Sequence, residues 1–390
     1  MENLIDDDIQ RDQNNNEEDE ELECAENLKY QEDNSISIYP ANIKIEQARY
    51  SVYELKRKYE EKKEILMDPD FQRGFVWEPK QKRELIESIL MGIKLPSFYF
   101  AERKIDGKKI VVDGKQRLST LFDFLNDKFS LSNLNIIKDA KGKFSDLEGT
   151  QQSKIEDYQI EVNVIKASTP ERVMLDIFDR INRGGTTLNN QEMRNALYQG
   201  QSTILLKELA ESSIFKEVTG KSISPQRMKD TYVVLRFLTF YIWKTKQAYD
   251  KDGTWIDYKS DMNDFLAKTM EYINSLEDFQ INELKDVFYR TMSNVKKIIP
   301  TNAFRLPPKP PKDGNKIIKR PVNMPLFDTV CYLLSSEIPE DKINILKERY
   351  NGLLNNQEYI EAITSQVDNI KSINKRFEII EQIKNEVLHA

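Results

Sequence analysis

The sequence predicts an α+β protein in which a mixed domain precedes a mostly helical domain. Ser97–Glu102 and Lys109–Val112 are short runs rich in β-forming residues, and helical patterns surround them. Residues 203–299 instead carry amphipathic helical patterns almost throughout, and helices resume from about Pro325 to the end. The first half is therefore expected to hold the strands, and the second half a packed helical bundle.

Charge divides the chain into an acidic head and a mildly basic body. Residues 1–34 hold 14 Asp/Glu and 2 Lys/Arg, which leaves 51 acidic and 56 basic residues for 35–390. The head has almost no aromatic residues, so it cannot bury enough apolar surface to offset the entropy of ordering. We expect residues 1–35 to be a disordered acidic tail, residues 36–200 the mixed domain and residues 201–390 the helical domain.

Proline and glycine residues indicate where the first elements of the mixed domain begin and end. Residues 44–61 have a helical pattern, and residues 67–77 are expected to form an extended, loop-rich segment. Pro79 suits the first turn of a helix, and Gly92 supplies the stop at its C-terminus. The dipeptide Asp106-Gly107, a two-residue hairpin signal, then separates the two β-rich runs.

Further elements follow the second β-rich run. The pentad Asp113–Arg117 comes directly after it, and an apolar stripe predicts that a helix begins at once. A short strand is expected over 160–166, and Pro170 starts another helix. Asn189 and Glu192 have the spacing of an N-cap and its third-position partner, so they predict one more helix start.

The pentad Asp113-Gly114-Lys115-Gln116-Arg117 is the strongest local signal of chemistry. A helix N-terminus presents unpaired backbone N–H groups, and Gly114 lets the backbone approach a phosphate closely. Lys115 and Arg117 add cationic donors, while Asp113 suits a magnesium ion or a bound water. Taken alone, the same residues are ordinary turn chemistry before a helix. A Walker-type loop is excluded because Gln116 stands where that loop needs Ser or Thr.

Composition excludes several classes of protein. The only histidine is His389, next to the C-terminus, so HNH nuclease, Ser-His-Asp and Cys-His chemistry lack their general base. Cys24 and Cys331 have no metal-type spacing and form no disulfide framework. The start of the chain is acidic where a secretory signal is basic, and no apolar stretch is long enough to span a membrane. We therefore expect a cytoplasmic protein without a membrane partner.

Ordered blocks between residues 45 and 200 share the pattern of one family. The blocks are Phe71–Trp77, Leu85–Leu90, Val111–Leu121, Phe178–Gly185 and Leu188–Ala196. Together they resemble the N-terminal domain of the GmrSD modification-dependent restriction enzymes. The resemblance implies a ParB/sulfiredoxin-like fold and nucleotide binding, often with NTP hydrolysis, in bacterial defence against phage or foreign DNA.

The resemblance also implies a role for each matched residue. Asp113, Gln116 and Arg117 take catalytic positions, and Asp113 is the candidate ligand of Mg²⁺. The expected nucleotide contacts are Gln72, Arg73, Gly114, Lys115, Ser119, Thr120, Asn182, Arg183 and Gly184. The family pentad is usually Asp-Gly-Gln-Gln-Arg, so Lys115 is a departure that either strengthens phosphate binding or removes an amide that positions water. From the residues alone, Arg73 is also explained by an ion pair and Gly184 by a helix stop.

Three hypotheses for function remain open. In the preferred one, a nucleoside triphosphate with Mg²⁺ is bound or hydrolysed and switches a helical domain that senses DNA, a modified base or a protein such as a partner nuclease. The second is a nucleic-acid-binding sensor or complex subunit without turnover. In that case the Pro/Lys-rich loop at 306–321 grips a phosphate backbone, although a solvated surface loop explains its lysines equally well. The third is a metal-dependent nuclease that uses Asp113.

Overall fold

The computed structural model describes residues 22–23, 43–67, 77–132, 134–169, 171–181, 189–249, 253–308 and 320–388. The chain divides into two compact units. We call Asn34–Leu197 the mixed unit, and Tyr198–Ala390 with the strand Leu22–Glu23 the helical unit. A five-stranded sheet lies in the mixed unit and long helices make up most of the other, which confirms the predicted α+β class.

The elements are numbered in chain order. The strands are β1 (Leu22–Glu23), β2 (Ile45–Ser51), β3 (Ile65–Leu66), β4 (Phe98–Glu102), β5 (Lys109–Asp113), β6 (Gln159–Ile165) and β7 (Val322–Asn323). The helices of the mixed unit are α1 (Val52–Glu60), α2 (Pro79–Leu90), α3 (Lys115–Leu125), α4 (Gly149–Glu156), α5 (Glu171–Ile181) and α6 (Asn190–Leu197). Those of the helical unit are α7 (Gln201–Glu211), α8 (Ser213–Val218), α9 (Lys229–Lys244), α10 (Met262–Asn274), α11 (Asp278–Ile298), α12 (Met324–Leu333), α13 (Ile343–Leu353), α14 (Gln357–Thr364) and α15 (Ile370–Leu388).

The sheet of the mixed unit has the strand order β2-β6-β4-β5-β3. Strand β4 is central, because it pairs parallel with β6 and antiparallel with β5. Phe98 and Phe100 of β4 are buried, and they share a hydrophobic core with Leu118 and Leu121 of α3. Burial of these side chains holds α3 against the sheet, directly after the end of β5.

The first element of the mixed unit corrects our prediction. We expected a helix over residues 44–61, but Ile45–Ser51 is strand β2, and helix α1 starts at Val52. All seven residues of β2 pair with Gln159–Ile165, and this ladder to a distant segment outweighs the local helical pattern. The side-chain oxygen of Ser51 accepts the N–H of Glu54 at 3.1 Å and caps α1 where the strand ends.

The β4–β5 hairpin is confirmed, although its connection is longer than the two-residue turn we predicted. The N–H of Arg103 donates to the carbonyl of Lys108 at 2.8 Å, so six residues, 103–108, join the strands. The Arg103 guanidinium binds Asp106, with 2.8 Å between Nε and Oδ1. Gly107 takes the left-handed conformation at φ 69°. The ion pair stabilises this wider loop, which the dipeptide signal did not reveal.

The predicted start of helix α6 is confirmed by its cap. The N–H of Asn189 donates to Glu192 Oε2 at 2.7 Å, and the N–H of Glu192 donates to Asn189 Oδ1 at 2.8 Å. This reciprocal pair satisfies two backbone donors that a helix start otherwise leaves open. These two residues are therefore structural, as their spacing indicated.

Helix α9 is the centre of the helical unit and packs against α7, α10 and α12. Its Phe240 ring lies 5.0 Å from the Phe377 ring of α15 and 5.8 Å from the Phe265 ring of α10. Such aromatic contacts add to the burial of apolar surface that holds the bundle together. Among the helices described, none is both long and apolar enough to cross a lipid bilayer.

The strand β1 belongs to the segment predicted to be an acidic tail. Leu22 and Glu23 pair in parallel with Val322 and Asn323 of β7. The other residues of 1–35 lie outside the described part of the chain, so their disorder stays a prediction. Most of the Pro/Lys-rich loop, residues 309–319, also lies outside it.

Candidate functional site

The pentad lies at the junction of the central sheet and helix α3. Strand β5 ends at Asp113, Gly114 forms the turn, and α3 begins at Lys115. The carbonyl of Gly114 accepts the N–H of Leu118 at 2.9 Å, which is the first hydrogen bond of the helix. The predicted order of strand, turn and helix is therefore confirmed, and the open end of the helix begins at the pentad itself.

Gly114 is required at this turn for two separate reasons. Its φ of 98° and ψ of 7° lie in the left-handed region, which residues with a side chain rarely adopt. A Cβ at this position would lie 2.1 Å from Cδ1 of Phe98, far closer than two carbon atoms can approach. The Phe98 ring therefore packs directly on the backbone of the turn and fixes its path.

Arg117 links the pentad to strand β4. Its Nη2 donates to Asp113 Oδ2 at 2.7 Å, and its Nη1 donates to the carbonyl of Pro96. The guanidinium also lies over the Phe98 ring, 4.2 Å from the ring centroid. These contacts leave 13% of the Arg117 side chain exposed, against 34% for Asp113.

The environment of Arg117 also affects its proton affinity. Burial lowers the pKa of Arg117, and the neighbouring Asp113 carboxylate opposes that effect. The guanidinium still titrates far above neutral pH, so it remains charged. The turn thus holds a fixed cation next to a carboxylate that water can reach.

The remaining described residues of the predicted site occupy different environments. Gln116 is half-buried, and its Oε1 accepts the backbone N–H of Trp77 at 3.5 Å. Lys115 and Ser119 are half-buried. Thr120 is 1% exposed, and its hydroxyl has no hydrogen-bond partner among the described residues. A ligand in solution does not reach Thr120 in this arrangement, so we leave it out of the proposed site.

Five predicted contact residues cannot be placed. Gln72 and Arg73 lie in segment 68–76, and Asn182, Arg183 and Gly184 lie in segment 182–188, both outside the described residues. Trp77, the first described residue after segment 68–76, is the one held by Gln116. Their assignment to the site stays a prediction.

Asp113 was also the predicted ligand of Mg²⁺. Within the described ranges, no three His, Cys, Asp or Glu side chains come together in a group that could hold a metal ion. A single carboxylate fits a magnesium ion whose other ligands are substrate phosphates and waters, which is a usual arrangement for this metal. Asp113 Oδ2 is taken by Arg117, so Oδ1 is the oxygen suited to that task.

A cavity of about 290 Å³ lies on the neighbouring part of the sheet, and sequence reasoning missed it. Phe98 lines it together with Arg49, Lys94 and Glu161. The Glu161 carboxylate binds both cations, at 3.0 Å to each, and the hydrogen bond from Lys94 is the main cause that lowers the pKa of Glu161. These residues come from β2, β6, β4 and the segment before β4, so no local motif in the sequence reveals them.

Comparison with known families identifies the region that contains the pentad. Residues 52–199 match a family model described as GmrSD restriction endonuclease, N-terminal domain. This segment is similar to the GmrSD N-terminal domain. It runs from the first residue of α1 to just beyond α6, and we call it the GmrSD domain. A search of curated proteins found no match to the chain.

The GmrSD domain confirms the resemblance inferred from the sequence blocks. It places the protein in the context of restriction, the bacterial defence against phage and other foreign DNA. Residues 200–390, which include nearly all of the helical unit, lie outside the match. The context therefore comes from the GmrSD domain, and the helical unit has to be interpreted from its own structure.

Proposed function

We propose that the GmrSD domain binds a nucleoside triphosphate with Mg²⁺ at the Asp113–Arg117 turn and hydrolyses it. The observation that carries this proposal is the junction where a helix N-terminus, a solvent-accessible carboxylate and a fixed guanidinium meet around a glycine. A ParB/sulfiredoxin-like fold belongs to the same proposal. In it, the nucleotide controls how the helical unit engages DNA or a partner nuclease.

The phosphate groups lie at the start of α3. The first N–H groups of a helix have no partner within it, and they carry a partial positive charge. Gly114 turns the backbone into the helix while the Phe98 ring packs on it, and Lys115 adds a positive charge in the first turn. The nucleotide is thus held mainly by the backbone, which tolerates the departure of Lys115 from the family pentad.

Asp113 and Arg117 act as a unit on the bound nucleotide. Arg117 is anchored by Pro96 and Phe98, so it holds the Asp113 carboxylate in place and adds positive potential for the transferred phosphoryl group. Asp113 binds the Mg²⁺ that accompanies the phosphates, and that ion offsets phosphate charge when bound. Gln116 orients a water for attack on the γ-phosphorus, which breaks the bond to the β-phosphate oxygen and releases nucleoside diphosphate and phosphate.

The test is titration of the full chain with each of the four NTPs in the presence of Mg²⁺, together with an assay of phosphate release. We expect Asp113→Asn and Arg117→Ala each to weaken nucleotide binding about tenfold or more, because each variant loses a charge-assisted contact. Asp113→Asn should remain folded, because a partly exposed ion pair contributes at most about 1 kcal/mol to stability.

Asp106→Asn is the matched control for this experiment. Asp106 also pairs with a mostly buried arginine, Arg103, but at the opposite end of the β4–β5 hairpin. Its variant should bind nucleotide as the unchanged protein does. Unchanged binding in both pentad variants would refute the site. Cleavage of plasmid DNA with Mg²⁺ or Mn²⁺ alone would instead favour the nuclease hypothesis.

A further inference from the structure

A larger cavity, of about 460 Å³, lies in the helical unit. It is lined by the end of α11, by the turn over residues 299–308, by Arg320 and by one face of α13. Sites for small ligands usually measure about 300–1,000 Å³, so this cavity has room for a molecule larger than a phosphate ion. None of the pentad residues lines it.

The charged residues of this cavity have one sign. Arg305, Arg320 and Lys347 line it, and none of its lining residues in the described part of the chain is Asp or Glu. The chain as a whole has 65 acidic and 58 basic residues, so a group of three cations without a carboxylate is a departure from its average. Such a group favours an anionic ligand.

The rest of the lining suits a flat, largely apolar body with polar edges. Leu306 and Leu354 supply apolar contact, and the amides of Asn302 and Asn351 supply hydrogen-bond donors and acceptors. Tyr350 is 6% exposed, and burial raises its pKa to about 12, so its hydroxyl stays protonated at neutral pH. A nucleobase has this combination of an apolar face and a hydrogen-bonding edge.

Two features show that the cavity wall is held in a defined conformation. The Arg305 guanidinium is nearly buried, and it donates to the carbonyls of Thr219 and Arg320 and to the Ser222 hydroxyl, so it fixes the backbone at Arg320. Asn302 and Phe304 have φ angles of 55° and 64°, a left-handed conformation that is costly for a bulky residue.

We propose that this cavity binds one nucleotide, with its base against Leu306 and Leu354 and its phosphate near Lys347 and Arg320. The occupant we assign is an unpaired nucleotide of a single-stranded nucleic acid. Bases enter a concave site only when they are unstacked and unpaired, which a strand end or a single strand allows. Lys347 is exposed, so it remains accessible to the phosphate that continues the strand.

The experiment measures binding of the full chain to a fluorescent single-stranded oligonucleotide, to the same sequence as a duplex, to an abasic strand and to free mononucleotides. We expect the single strand to bind best and the abasic strand about tenfold more weakly. Lys347→Glu should weaken binding of the single strand tenfold or more and flatten its salt dependence, because one phosphate contact is lost. Leu354→Trp should also weaken it, because the larger side chain fills the cavity without changing its charge.

Lys371→Glu is the matched control, since Lys371 is an exposed lysine of α15 in the same unit that does not line the cavity. It should bind the single strand as the unchanged protein does. If free mononucleotides bind, and both Lys347→Glu and Leu354→Trp abolish that binding, the result also supports the nucleotide site. The ligand is then a free nucleotide in solution. Equal affinity for intact and abasic strands, or equal losses in Lys371→Glu and Lys347→Glu, would overturn the proposal.

Discussion

The two units of this protein differ in how far their aspartate–arginine ion pairs are exposed to water. In the GmrSD domain, Asp113 and Arg117 meet at a strand–helix turn, and about a third of the Asp113 side chain is exposed. In the helical unit, Arg236, Asp328 and Arg376 are wholly buried. Water can stabilise the first carboxylate if its partner changes, whereas the second is shut off from water and depends on its two arginines. The first pair is therefore suited to ligand chemistry, and the second is part of the core.

The buried group has the contacts expected of a structural pair. Arg236 Nη2 lies 2.6 Å from Asp328 Oδ2 and 3.3 Å from Asp368 Oδ1. Arg376 Nη2 lies 3.5 Å from the same Asp328 oxygen, and its Nη1 donates to the carbonyl of Val367. Burial would lower the pKa of Arg236, but the combined attraction of Asp328, Tyr232 and Asp368 outweighs that effect and raises the pKa of Arg236 well above the ordinary value. These contacts join α9, α12 and α15.

The largest loss of stability is expected when this buried ion pair is broken. Asp328→Ala leaves Arg236 and Arg376 buried without their shared counter-ion, so we expect the free energy of unfolding to fall by about 3–5 kcal/mol. Urea denaturation followed by circular dichroism measures it. Asp264→Ala is the control, because Asp264 forms an exposed pair with Lys268 whose loss costs below about 1 kcal/mol. Equal losses in the two variants would contradict the contrast between the units.

The next effect concerns the turn that holds the partly exposed pair. Gly114→Ala adds a Cβ that collides with Phe98 and also strains a left-handed φ, so we expect a loss of about 3 kcal/mol and of nucleotide binding. Gly107→Ala has a similar positive φ but no atom within 4 Å of its added Cβ, so it should cost only about 1 kcal/mol. If both variants unfold at the same urea concentration, contact with Phe98 does not determine the turn.

A smaller loss of stability is expected at a buried carboxylate that has no arginine partner. Glu87 of α2 is 3% exposed, and its Oε1 accepts the N–H groups of Ile136 at 2.6 Å and Ile137 at 3.0 Å. Burial would raise the pKa of Glu87, but these hydrogen bonds outweigh it, and its pKa lies below the usual 4.5. Ionised Glu87 thus stabilises the fold above about pH 4.5, and this contribution is lost as pH falls through the lowered pKa.

Glu87→Gln tests this predicted dependence of stability on pH. We expect it to cost about 2 kcal/mol at pH 7, because a charged acceptor of two backbone donors is replaced by a neutral amide. The difference between the variant and the unchanged protein should shrink as the pH is lowered below 4.5. Urea denaturation at pH 7 and pH 3.5 measures both values. A difference that stays constant between the two pH values would show that folding does not lower the pKa of Glu87.

Local signals in the sequence predicted the elements that carry the candidate site. Gly114 between a β-rich run and an apolar stripe indicated the end of β5 and the start of α3, and Asn189 with Glu192 indicated the start of α6. Both depend on residues within one turn of each other, so the pattern alone was sufficient. Strand β2 was missed because its identity comes from pairing with β6, far along the chain.

The sequence did not indicate the tertiary contacts of the pentad, for the same reason. Nothing near Arg117 indicates that its guanidinium binds Pro96 and stacks on Phe98, or that Gly114 is required by that same ring. The three cations of the larger cavity come from three separate stretches of the helical unit. A linear pattern records spacing along the chain and carries no direct information on which distant segments meet.

The sequence by itself determined the α+β class, the GmrSD pentad and the absence of a histidine suited to HNH chemistry. Each follows from residue type and short-range spacing, which act before the chain is packed. Tertiary structure alone decided that Arg117 is anchored while Asp113 stays accessible, and that Asp328 is enclosed by two arginines. Exposure and charge pairing are properties of the packed fold, because burial changes the cost of a charge according to every segment that surrounds it.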